Sequence, residues 1–351
     1  MPEKMPNYFV EKVHEQREND PHPYDAVISI ETGKEKVGFV RDNFLCEVVD
    51  KRGKESTIRI PTSITYFKTK NDEKWHKKLY GYQEGVKDAL NLENMNYYVV
   101  FDPSSELSFL AMPLGDSTTV THCGDNLDLF LRRGHEEDTE SLIKLISEFK
   151  DVNFGLFGSR PILDHVATRA SDIDLVVYGP ENLQRIVSSI EENEDLCRRI
   201  GLTFTHSSTI EKYIPYYMKK FNLTEAEARI ITIRRRRYIL KPDIKLSLNC
   251  ALPVQESRRK IPLVIGSKKI SDITIEASAI DTTLSSTLPR VFSVESEGQE
   301  IDVVTSTWSL KDFIRPGDKV KIVGALRESD GVTFISMECP DHIIKPITNG
   351  K

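Results

Sequence analysis

The sequence predicts a multidomain α+β protein with a central α/β unit and a C-terminal β-barrel. The chain has 351 residues, which is long for a single hydrophobic core. Strand-like and helix-like runs alternate within residues 139–252, a pattern typical of an α/β unit. After residue 262 the helical runs stop, and strand-like runs follow one another to residue 345.

The first part of the chain predicts a tail followed by a small domain. Residues 1–23 are polar and contain two prolines close to their end, so we interpret them as an N-terminal tail. Residues 24–115 contain short β-like runs separated by turn signals, with a helical pattern over Trp75–Leu92. We therefore expect an N-terminal α+β domain over 24–115.

The central unit, residues 139–252, contains two strand-like runs with helical patterns on either side. The runs Val152–Phe157 and Ser171–Gly179 predict the strands, and Pro180 opens the helix that follows them. Thr224 and Glu227 have the spacing of a capping box and predict the start of a later helix. After Pro242 the apolar alternation of a strand returns.

The helix that begins after Thr224 is expected to continue through four consecutive arginines, Arg234–Arg237. Consecutive helical residues are about 100° apart, so these side chains cannot all face solvent. One or two should meet an acidic cluster, a substrate phosphate or a structural carboxylate. A solvated helix with one structural ion pair accounts for the run equally well.

The C-terminal part, residues 262–345, predicts an OB-like β-barrel. It has five strand-like runs with a single short interruption at Ser309–Ile314. Nine Lys and Arg stand against thirteen Asp and Glu in this part, and its aromatic residues are Phe292, Trp308, Phe313 and Phe334. A general surface for single-stranded nucleic acid needs a basic groove with stacking platforms, so a docking or scaffold role is at least as well supported.

The composition favours a cytoplasmic protein without a membrane partner. The formal net charge is −6, and no apolar run approaches the ~20 residues that span a bilayer. The N-terminal residues lack the apolar core of a signal peptide. The five cysteines are scattered without Cys-x-x-Cys spacing, which indicates reduced thiols rather than disulfides or a zinc site.

Two acidic residues stand out in the second strand of the central unit. Asp172 and Asp174 are two positions apart, so their side chains leave the same face of a strand. Like charges at that distance disfavour each other unless a cation lies between them, and a hard divalent metal ion prefers such oxygen ligands. The alternative is that these aspartates simply lie at a solvent-exposed strand end, which would account for each of them taken alone.

Gly158 and Ser159 follow the first strand of the unit at a point where a helix could begin. Glycine permits close backbone approach, and a serine hydroxyl beside free helical N–H groups suits a phosphate. A lone Gly-Ser is usually a turn. A phosphate site next to a carboxylate pair is a combination expected of phosphoryl or nucleotidyl transfer.

The motif from Gly158 and Ser159 to Asp172 and Asp174 resembles the signature of the DNA polymerase β-type nucleotidyltransferase superfamily. The resemblance covers residues 140–250 and implies a polymerase β-like α/β core with two metal-binding acids on one strand and a third on a later strand. Over more of the chain, the three-part layout is similar to an archaeal group of predicted nucleotidyltransferases.

Asp243 is the candidate for the third acid, because it precedes a strand in which Ile244, Leu246 and Leu248 alternate inward. An Asp in a Pro-Asp turn is the plain alternative. Lys245 would share a face with Asp243 and could form a salt bridge with the acidic cluster or contact phosphate. Arg160 and Arg169 flank the motif and could hold the triphosphate.

The resemblance implies a metal-dependent nucleotidyltransferase that moves an NMP group from an NTP such as ATP to a hydroxyl acceptor and releases pyrophosphate. Asp172, Asp174 and Asp243 would bind two Mg²⁺ ions, or Mn²⁺, while Gly158 and Ser159 would hold phosphates. The sequence does not distinguish among three kinds of hydroxyl acceptor: an RNA such as tRNA, a protein, or a small molecule. The alternative is a non-catalytic nucleic-acid-binding or regulatory protein that keeps the fold.

Overall fold

The computed structural model shows a mixed α+β protein. It describes residues 6–17, 19–31, 34–42, 44–53, 56–69, 76–80, 86–92, 95–133, 136–158, 172–204, 207–235, 238–240, 244–307, 310–339 and 341–347. No helix among these residues is long and apolar enough to cross a membrane.

The N-terminal strands form a large sheet, part of which closes into a ring. The strands are β1 (Tyr8–Glu15), β2 (Ala26–Glu31), β3 (Lys34–Val40), β4 (Phe44–Asp50), β5 (Ser56–Thr69), β6 (His76–Tyr80), β7 (Val99–Asp102), β8 (Leu107–Pro113) and β9 (Thr118–Thr121). The short helix α1 (Val86–Leu90) and a 3₁₀ turn (Asn96–Tyr98) precede β7. Strands β4, β1, β7, β8 and β5 pair in that order, and β5 pairs again with β4, which closes a five-stranded ring.

Two sequence predictions in this part are wrong. Residues Tyr8–Glu15, expected to lie in a tail, form β1, which pairs with β4 and β7. A register shift between Val10 and Lys12 interrupts the pairing, so the apolar residues do not keep strict alternation along the strand. Within the predicted helix over Trp75–Leu92, the described residues His76–Tyr80 form a strand paired with β5, and among the described residues of this range the helix is confined to Val86–Leu90.

The central sheet has the strand order β10-β11-β14-β13-β12. Its strands are β10 (Phe154–Phe157), β11 (Ile173–Tyr178), β12 (Leu202–Phe204), β13 (Tyr238–Leu240) and β14 (Ile244–Ala251). The surrounding helices are α2 (Cys123–Arg133), α3 (Glu136–Glu148), α4 (Pro180–Glu192), α5 (Glu194–Ile200), α6 (Ser207–Phe221), α7 (Glu225–Arg234) and α8 (Val254–Lys260). Strand β11 runs antiparallel to β10 and parallel to β14.

The two faces of β11 pack against different parts of the chain. Ile173, Leu175 and Val177 are buried among helices α2 to α5. Val176, on the opposite face, packs with N-terminal residues such as Tyr24. Alternate strand residues point to opposite faces, so Asp174 lies on the side of Val176, away from the helices.

Helix α7 starts where the capping box predicted and ends earlier than expected. The Thr224 side chain accepts the Glu227 N–H, and the Glu227 carboxylate accepts the Thr224 N–H. The helix ends at Arg234, and Arg235 is already extended. The expectation of one helix through all four arginines is wrong, because Tyr238–Leu240 pair with β12 and β14; Arg236 and Arg237 lie outside the described residues.

The C-terminal strands form a closed five-stranded barrel, as the sequence predicted. They are β15 (Lys268–Asp281), β16 (Arg290–Ser296), β17 (Gln299–Thr305), β18 (Lys319–Ser329), β19 (Val332–Ser336) and β20 (Ile343–Pro346). Pairing runs β15-β16-β17-β19-β18 and returns from β18 to β15, while β20 pairs with β18 outside the ring. A closed five-stranded barrel of this kind is OB-like.

The three parts share hydrophobic cores. Helices α6 and α7 pack their apolar residues, Tyr217 and Ile231 among them, against the barrel. The N-terminal ring packs against residues 261–265 and the barrel's Val304. Polar contacts cross the same boundaries, since Arg41 Nη2 donates to the Ser306 carbonyl at 2.9 Å.

Candidate functional site

Asp172 and Asp174 lie at the start of β11, on the face away from helices α2 to α5. Asp174 is opposite Phe157 of β10 and Ser247 of β14. The side chain of Asp172 is 53% exposed, and Asp174 is half-buried. The strand therefore presents one open and one sheltered carboxylate at the same edge of the sheet.

Gly158 lies directly against the Asp174 carboxylate. Its φ is +91°, and a Cβ built on it would lie 2.7 Å from Asp174 Oδ2. A side chain at this position would be strained by its backbone and would also displace the carboxylate. The structure thus brings together two of the residues that the sequence motif singled out, the glycine and the second aspartate.

Ser159, Arg160, Arg169 and Asp243 lie outside the described residues. Their roles in phosphate binding and as the third acid stay predictions.

A cleft of about 180 Å³ opens beside the two aspartates. It is lined by residues of the central sheet, of helix α6, of the end of α7 and of the segment that precedes β18: Asp172, Asp174, Tyr213, Arg235, Lys245, Leu246, Ser247, Asn249, Lys311 and Asp312. The cleft therefore combines residues from the central unit and from the C-terminal part of the chain.

Lys245 is the cation nearest to Asp172 among the contacts of the described residues. Its Nζ lies 4.0 Å from Asp172 Oδ1, and both side chains are more than half exposed. The sequence predicted that Lys245 would either form a salt bridge with the acidic cluster or contact phosphate, and this geometry corresponds to the salt bridge. An exposed pair at this distance contributes little to stability, so Asp172 stays accessible to a ligand.

Lys311 enters the cleft from the C-terminal part and is buried, with 7% of its surface exposed. Its Nζ donates to the Leu248 carbonyl and to Asn249 Oδ1, the latter at 3.2 Å. Burial lowers the pKa of Lys311 to about 8, opposed by the carboxylates of Asp312 and Asp174. A lysine that titrates in this range is a feature of functional sites more often than of ordinary protein surface.

Asn249 connects Lys311 to the strand that carries the aspartates. Its Nδ2 donates to Ser247 Oγ at 2.9 Å and to the Leu175 carbonyl at 3.3 Å. Asn249 is completely buried. This network fixes the position of Lys311 relative to β11 and β14.

The two described arginines of the basic run have different environments. Arg234 forms a two-point ion pair with Asp318 of the barrel, with Nη2 to Oδ1 at 2.9 Å. Arg235 lines the cleft, donates to the Tyr217 hydroxyl and lies 5.7 Å from the centre of that ring. One arginine thus meets a structural carboxylate, as expected for one member of the run.

Sequence reasoning missed Ser247, Asn249, Lys311, Asp312 and Tyr213. A polar Asn in the apolar run of β14 was one available signal, and the charged pair at 311–312 between buried Leu310 and Phe313 was another. Neither signal shows that the two segments meet, because they are about sixty residues apart along the chain.

A second cleft, of about 620 Å³, shares Asp312 with the first. It lies between the start of α4 and barrel residues that follow β15, Ser285 and Ser286 among them. Its volume is within the range of about 300–1,000 Å³ that holds small-molecule ligands. The Ser286 hydroxyl donates to Asp312 Oδ1 and so positions the shared carboxylate.

Among the described residues, the set of three side chains with metal-ligand spacing lies elsewhere, at Cys339, Asp341 and His342. His342 Nδ1 accepts the backbone N–H groups of Glu338 and Cys339, at 3.1 and 3.2 Å. These bonds give His342 a structural role in the turn before β20. The donors suited to Mg²⁺ are instead the carboxylate oxygens of Asp172 and Asp174.

No family model matches the sequence, and no curated protein matches it. One chain of a solved structure, described as a replication protein A heterotrimer bound to ssDNA, matches at 18% identity with a TM-score of 0.18. The match covers 25% of this chain and 65% of the other, slightly under two thirds, and a TM-score this low does not establish a shared fold.

Proposed function

We propose that the protein is a metal-dependent nucleotidyltransferase that transfers an NMP group from an NTP to a hydroxyl acceptor, with release of pyrophosphate. The observation that supports this most directly is the contact between Gly158 and Asp174. The glycine and the aspartate of the motif are 16 positions apart along the chain, yet a Cβ on one would lie 2.7 Å from the carboxylate of the other.

The residues present fit a divalent metal ion. Asp172 and Asp174 offer carboxylate oxygens from one face of β11, and hard cations such as Mg²⁺ and Mn²⁺ prefer oxygen ligands. Because Gly158 has no side chain, its backbone can lie close to the Asp174 carboxylate, where a phosphate bound at Gly158 would adjoin an ion held by the aspartates. When bound, such an ion would supply Lewis-acid stabilisation of the phosphate oxygens.

The chain's own residues would orient the nucleotide. Gly158, and with it Ser159 as the sequence predicts, would place backbone N–H groups against the phosphates. Asp243, as the predicted third acid, would help to deprotonate the acceptor hydroxyl. The buried network of Lys311 and Asn249 would hold β14 in position beside Asp174.

A transfer assay with α-labelled NTPs tests this function. Label should pass to an acceptor of RNA, protein or small-molecule type only when Mg²⁺ or Mn²⁺ is present. The double variant Asp172→Asn/Asp174→Asn should lose transfer, and full transfer by that variant would show that the assignment is wrong. The non-catalytic alternative would be favoured by two results together: no transfer, and nucleic-acid binding that depends steeply on salt and is unchanged by both substitutions.

A further inference from the structure

Two cationic side chains in the cleft bond to neutral groups. Lys311 donates to a backbone carbonyl and to the amide oxygen of Asn249. Arg235 donates to the hydroxyl of Tyr217. Within the described part of the chain, neither cation forms a direct ion pair with a carboxylate, in contrast to Arg234 and Lys245 in the same neighbourhood.

Burial of Lys311 in this arrangement is costly. A buried charge normally requires a charged partner, because neutral acceptors only partly replace the lost hydration. The two acceptors use two of the three donors of its ammonium group. Lys311 also lines the cleft, so its remaining donor and its charge are available to a bound anion.

Arg235 offers complementary geometry. It is half-buried at the end of α7, and its contact with Tyr217 holds the guanidinium near the cleft. Guanidinium groups match the oxygens of phosphate through paired N–H donors. Two other charged residues of the cleft are engaged elsewhere, since Lys245 pairs with Asp172 and Asp312 accepts the Ser286 hydroxyl.

We infer that Arg235 and Lys311 form an anion site that binds the phosphoryl groups of a nucleotide, so that the C-terminal part of the chain completes the cleft. The inference rests on the proposed function for the identity of the nucleotide. The binding of a polyphosphate itself depends only on the two cations and the cleft, and not on the proposed function.

Titration of the full chain with tripolyphosphate, by calorimetry in EDTA without metal, tests this site. Lys311→Met should raise the dissociation constant at least 10-fold, and Arg235→Gln should do the same. Lys319→Met, which removes an exposed lysine of the barrel, is the control and should change the constant less than 2-fold. Wild-type affinity in the Lys311→Met protein would overturn the inference.

Arg235→Gln keeps the test usable if Lys311→Met does not fold, because Arg235 is only half-buried. A variant with the urea midpoint of the wild type and lost tripolyphosphate binding supports the site. Arg235→Lys should recover part of the affinity, since it restores the charge without the planar fork. A folded Arg235→Gln protein that binds tripolyphosphate normally would contradict the inference.

The outcome is distinguishable from that of the proposed function. Asp172→Asn/Asp174→Asn should bind tripolyphosphate without metal at least as tightly as the wild type, because it removes two negative charges from the cleft, while it loses transfer. If transfer depends on the aspartates but Lys311→Met and Arg235→Gln bind tripolyphosphate normally, the anion site is wrong and the function stands. If tripolyphosphate binding depends on the two cations but no transfer occurs, the anion site stands without the function.

Discussion

The backbone of Gly158 lies so close to the Asp174 carboxylate that a side chain at this position would collide with it. Gly158→Ala should therefore lower the free energy of unfolding for two reasons, its φ of +91° and the 2.7 Å approach to Asp174 Oδ2. Gly298→Ala is the matched control, because φ there is +78° and nothing lies within 4 Å of the added Cβ. The control should cost about 1–2 kcal/mol, and Gly158→Ala about 1–3 kcal/mol more.

Urea unfolding of both glycine variants measures the difference. Equal costs would mean that the Asp174 carboxylate is not held against Gly158, and would contradict the fixed contact on which the site mainly depends.

Glu338 predicts a pH dependence of stability. Burial, with Asp42 nearby, raises the pKa of Glu338 to about 8, while its Oε1 accepts the Ser306 N–H at 2.7 Å. The folded state therefore keeps a proton that the unfolded state loses above its ordinary pKa of 4.5. Stability should fall as pH rises from about 4.5 to about 8, by at most about 1.4 kcal/mol per pH unit from this group.

Glu338→Gln should flatten this dependence, because glutamine can accept the same N–H and does not ionise. Thermal unfolding of both proteins between pH 5 and pH 9 is the measurement. The variant should gain stability relative to wild type as pH rises. Parallel curves for the two proteins would show that Glu338 is not protonated in the folded state.

At the scale of elements, the pair Arg234–Asp318 connects α7 to the barrel. The two side chains are 20% and 18% exposed, whereas those of the surface pair Arg198–Asp195 are 74% and 77% exposed. A double-mutant cycle with Arg234→Met and Asp318→Asn should give a coupling of about 1–3 kcal/mol. The same cycle at Arg198 and Asp195 should give less than about 0.5 kcal/mol, and similar couplings would contradict this role of the inner pair.

Local patterns predicted most of the elements around the site. Alternation of apolar residues identified β11 and β14, and the Thr224 capping box located the start of α7. The end of α7 could not be predicted, because Tyr238–Leu240 are held as a strand by pairing with β12 and β14. Pairing between distant segments outweighs helix propensity there.

The candidate site was only partly predictable for the same reason. Asp172 and Asp174 are recognisable from their spacing on one strand. Lys311 reaches the cleft only because the segment before β18 packs against β14, and no local pattern reports that contact. The tail expected at residues 1–23 shows a related limit, since the shift within β1 disrupts its alternation.

At the scale of the whole molecule, the shared cores predict that damage to the barrel spreads to the central helices. Phe313 is 2% exposed, and its ring lies 5.3 Å from that of Phe221 in α6. Phe313→Ala should cost about 3–5 kcal/mol. Hydrogen exchange should show reduced protection in α6 as well as in the barrel, and a loss confined to residues 262–345 would contradict the shared core.

The central claim is that Asp174 serves in metal-dependent nucleotidyl transfer. The most direct measurement follows an α-labelled NTP and pyrophosphate together, in the presence of Mg²⁺, for the wild type, Asp174→Asn and Asp195→Asn. Asp195 is an exposed carboxylate on α5 that pairs with Arg198, so its variant controls for the loss of an acid. We predict equal amounts of transferred label and pyrophosphate in the wild type and in Asp195→Asn, and at least a 100-fold lower rate in Asp174→Asn. Transfer of label by Asp174→Asn at the wild-type rate would contradict the claim.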